Sequence, residues 1–68
     1  MISSRMVANI LGLDLYSDIL AMLPDSFFDL ADESQEKIWK AILHEALRGE
    51  RDTLMLTRIG AQAILLAE

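Results

Sequence analysis

Apolar residues recur at spacings of three and four along almost all of this 68-residue chain, and no stretch alternates apolar with polar long enough to make a strand. The pattern resolves into four helices and one helical corner. The first helix is expected over 4–11, with Met6, Val7, Ile10 and Leu11 as its apolar stripe. Ser3 or Ser4 suits its cap, and Gly12 suits the left-handed position that ends a helix. The second is expected over 14–23, on the stripe Leu15, Tyr16, Ile19, Leu20 and Leu23. The two stripes fall out of phase across Gly12, which predicts two helices in place of one. Pro24 disfavours helical geometry at Leu23 and stops the second.

The third helix is expected over 34–48. Ile38, Trp39, Ile42, Leu43, Ala46 and Leu47 face inward, and Glu36, Lys37, Lys40, His44, Glu45 and Arg48 face outward. Glu33 with Lys37 and Glu36 with Lys40 stand four apart with the acid first, the better orientation. Asp32 or Ser34 is the expected cap, and Gly49 closes the helix. The fourth is expected over 52–67 with Asp52 capping. Met6, Met22 and Met55 read as gap-filling core residues, and Met1 as that or a start codon.

Between the second and third helices lies LPDSFFDLADES, residues 23–34. Helical spacing gathers Phe27, Leu30 and Ala31 on one side and Asp25, Asp29, Asp32, Glu33 and Glu36 largely on the other. The segment therefore reads as a helical corner. Adjacent helical residues point about 100° apart, so Phe27 is expected to anchor the corner and Phe28 to stand exposed among acids. The plainer alternative puts both rings in the core and leaves the acids as a solvated face.

The fourth helix carries only Thr57, Arg58 and Gln62 to meet water across its middle. A helix apolar nearly all round is normally covered on more than one side. Burial in so small a chain contributes on the order of 100 kcal/mol, and ordering its residues costs about as much. There is no cysteine, so no disulfide makes up a difference. These points predict a homodimer built on Leu54, Leu56, Ile59, Gly60, Ala63, Ile64 and Leu66. The alternative is that the other three helices alone wrap this one.

Charge sharpens the picture. Residues 6–36 hold seven acids and no base, whereas 37–68 hold five bases and four acids; the net charge is −5. Such a field repels phosphates, which argues against direct nucleic-acid binding and leaves a basic protein surface as the expected partner. No apolar run approaches a membrane span and no signal-peptide pattern is present, so a cytoplasmic location is expected. Lack of cysteine leaves the redox compartment open.

Chemistry-bearing motifs are absent from the sequence. His44 is the single histidine, and Arg48 stands where a second metal-binding histidine would be needed. The acids lack the glycine-turned loop of a calcium hand. Their spacing along a convex helix face gives no site for acid–base catalysis. Neither cofactor, metal nor small-molecule substrate is expected, and the chain does not read as an enzyme.

The expected fold is therefore an all-α bundle or orthogonal array of four to five short helices, completed by dimerisation. The expected function is a small acidic protein–protein interaction module, a homodimeric regulator or adaptor. It would bind its partner through Asp25, Phe28, Asp29, Asp32, Glu33 and Glu36. Two other readings remain open: a phage- or plasmid-type inhibitor that mimics nucleic-acid charge on a DNA- or RNA-handling protein, and a structural subunit of a larger assembly.

Overall fold

The computed structural model describes residues 3–67, which form α1 (Ser4–Leu11), α2 (Leu13–Met22), a 3₁₀ turn (Asp25–Phe27), α3 (Asp32–Leu47) and α4 (Thr53–Ala67). No strand occurs among the described residues. The all-α expectation holds, and the helix limits differ from those expected by two residues or fewer.

Local chemistry sets these limits. Ser3 starts α1 by accepting the Met6 N–H on its hydroxyl at 3.2 Å. Gly12 takes φ +93, a value other residues rarely adopt, and donates its N–H to Ala8 O. Its ψ of 146 is extended, not the left-handed helical well expected, so the chain turns abruptly and α2 begins at once with Leu13. Leu23 is extended before Pro24, as the clash with the proline ring requires. The start of α3 differs from expectation. Ala31 occupies the cap with no side-chain bond, and Asp32 and Glu33 lie in the first turn, where the helix dipole favours acids. At the other end, Asp52 Oδ1 accepts the N–H groups of Leu54 and Met55 at 2.8 and 3.2 Å and starts α4.

One core draws on every element: Val7 and Leu11 from α1, Ile19 from α2, Leu23 and Phe27 from the corner, Ile38, Trp39, Ile42, Leu43 and Ala46 from α3, and Leu56 and Ile64 from α4. α4 packs mainly on α3 and then on α2. The close approach is at Gly60. A Cβ there would lie 2.9 Å from Ile42 Cδ1 and 3.1 Å from Leu23 Cδ2. The missing side chain of Gly60 thus lets α3 and the end of α2 close on α4 within one chain.

This corrects the expected dimer surface in part. Leu56, Gly60 and Ile64 are buried in the chain's own core and present nothing to a second copy. Ile59 and Ala63 are half-buried against that core, while Leu54 and Leu66 are exposed. Thr57, expected to meet water, is buried. Leu47, Met6, Met22 and Met55, expected inside, are exposed. The accessible surface of 4495 Å² is close to the roughly 4,300 Å² of a compact monomer of this mass.

Candidate functional site

All four aromatic side chains of the protein form one connected group at the corner. Tyr16 of α2 lies against Trp39 of α3, with ring centroids 5.4 Å apart. Phe27 stands edge-on to Trp39 at 5.8 Å and edge-on to Phe28 at 5.1 Å. Edge-to-face pairs at these distances add about 0.5–1.5 kcal/mol beyond the area they bury. Phe27 is 2% exposed and Phe28 51% exposed. The two neighbours therefore divide as their spacing suggests, one ring closing the core and the other half in water. The geometry is a 3₁₀ turn in place of a full helix, with Phe28 N donating to Asp25 O at 3.0 Å.

Gln35 holds this turn against α3. Its Nε2 lies 3.2 Å from both Phe27 O and Leu30 O. Phe27 ends the 3₁₀ turn and its carbonyl also accepts the Leu30 N–H at 3.2 Å, while Leu30 lies between the turn and α3, outside any helix. Nothing in the apolar or charge pattern gives Gln35 a role. A glutamine three residues into a helix, after an irregular segment, is the pattern that could have drawn notice to it.

Asp25 and Asp29, on the corner, are exposed, as are Asp32 and Glu33 on the first turn of α3. Glu36 is only partly exposed, and its carboxylate lies 3.9 Å from Lys40 Nζ. The second expected pair, Glu33 with Lys37, is not seen among the described residues; Arg48 and Glu45 pair at 3.5 Å. His44 is exposed on α3.

The surface is not uniformly convex as expected. Asp32, Glu33 and Glu36 line a depression of about 300 Å³ together with Ser3, Ser4, Gln35 and Trp39. It lies where the N-terminal ends of α1 and α3 meet. Three carboxylates lining one depression suit a cationic side chain, through charge-assisted hydrogen bonds. Among the described residues no group of three or more His, Asp or Glu side chains is placed to hold a metal ion. No described helix is long and apolar enough to cross a membrane.

No protein-family model matches the chain, and neither a curated protein nor a solved structure is significantly similar to it.

Proposed function

We propose that this protein is a non-enzymatic protein-binding module that works as a homodimer in the cytoplasm and takes a basic partner on its acidic corner. The observation that carries this reading is the exposure of Phe28 beside buried Phe27, on a corner that also exposes Asp25 and Asp29 and leads into the exposed Asp32 and Glu33 of α3. Aromatic anchors are enriched in the centres of protein interfaces, and surrounding charge steers the partner in. In this reading Phe28 enters an apolar pocket of the partner, and a lysine or arginine of the partner enters the depression beside Trp39.

A second reading is favoured by the run of seven acids without a base: the protein mimics nucleic-acid charge and occupies a basic groove. One experiment separates the two and tests both. A partner isolated from the host is bound to the protein and to a variant with Asp25, Asp29 and Asp32 changed to Asn, across a salt series. The module reading expects slower association and a flatter salt dependence for the variant, with no competition by nucleic acid. Mimicry expects nucleic acid to displace the protein. Unchanged association of the variant at every salt concentration removes the role of the acids in both.

A further inference from the structure

We draw no further inference here: the strongest candidate, the exposed apolar surface of α4 around Leu54, Leu65 and Leu66, carries nothing because nothing in the structure shows what covers it.

Discussion

Gln35 donates from its side-chain nitrogen to the carbonyl oxygen of Phe27 across eight residues of sequence, at 3.2 Å. With the matching bond to Leu30 O, this single amide ties the corner to α3 and fixes how Phe27 and Phe28 are presented. Two outcomes follow. Gln35→Ala removes both bonds and should cost about 1–2 kcal/mol. Gln35→Glu keeps the shape but points carboxylate oxygens at two carbonyls, and should cost more, about 2–3 kcal/mol at neutral pH. Urea unfolding of the two variants checks the order. If Gln35→Glu proves as stable as the natural chain, the amide does not hold the corner.

Gly60 sits against Ile42 and Leu23, both buried. Gly60→Ala gains roughly 1 kcal/mol of helix propensity but forces two well-packed side chains aside, at about 1–3 kcal/mol. A net loss near 1 kcal/mol is expected. Gly60→Leu has no space to occupy and should unfold the chain or nearly so. Thermal unfolding followed by circular dichroism decides. A Gly60→Leu protein that folds normally but loses self-association would return this glycine to an interface between chains.

Phe27 and Phe28 differ in burial far more than in chemistry. Truncating buried Phe27 to alanine should cost about 3–5 kcal/mol, a large share of the stability such a domain can have. Phe28→Ala loses half a ring's burial and one edge-to-face contact, about 1 kcal/mol. The melting temperature should therefore drop steeply for the first and by a few degrees for the second. Equal, severe losses would mean that both rings serve the core.

Much of the fold was legible because two local rules agreed. Helical spacing of the apolar residues marked each helix, and Ser3, Gly12, Pro24, Gly49 and Asp52 marked the ends. The same spacing separated Phe27 from Phe28 even though the turn proved to be 3₁₀, since both geometries point neighbouring side chains well apart. What sequence could not supply was which side of α4 the other helices would take. Its rows are nearly equal in hydropathy, so Leu56, Gly60 and Ile64 could not be told from Leu54, Leu65 and Leu66. Thr57 shows the same limit: a threonine normally placed outward is carried inward by its position beside Leu56 and Gly60, and its hydroxyl finds no protein partner. The depression lined by Asp32, Glu33 and Glu36 was equally illegible, because its other wall comes from Ser3 and Ser4 nearly thirty residues away. The bond from Gln35 depends on the same kind of tertiary closure.

In the proposed module Phe28 is a binding anchor and not merely a stray exposed ring. The most direct measurement compares the natural chain with Phe28→Ala as immobilised baits in extract of the native host, after both are shown to be folded. A stoichiometric protein should be held by the natural chain, and its binding should be lost or weakened at least tenfold by Phe28→Ala (the factor that about 1.4 kcal/mol of lost anchor energy represents). A partner retained equally by both baits would contradict it.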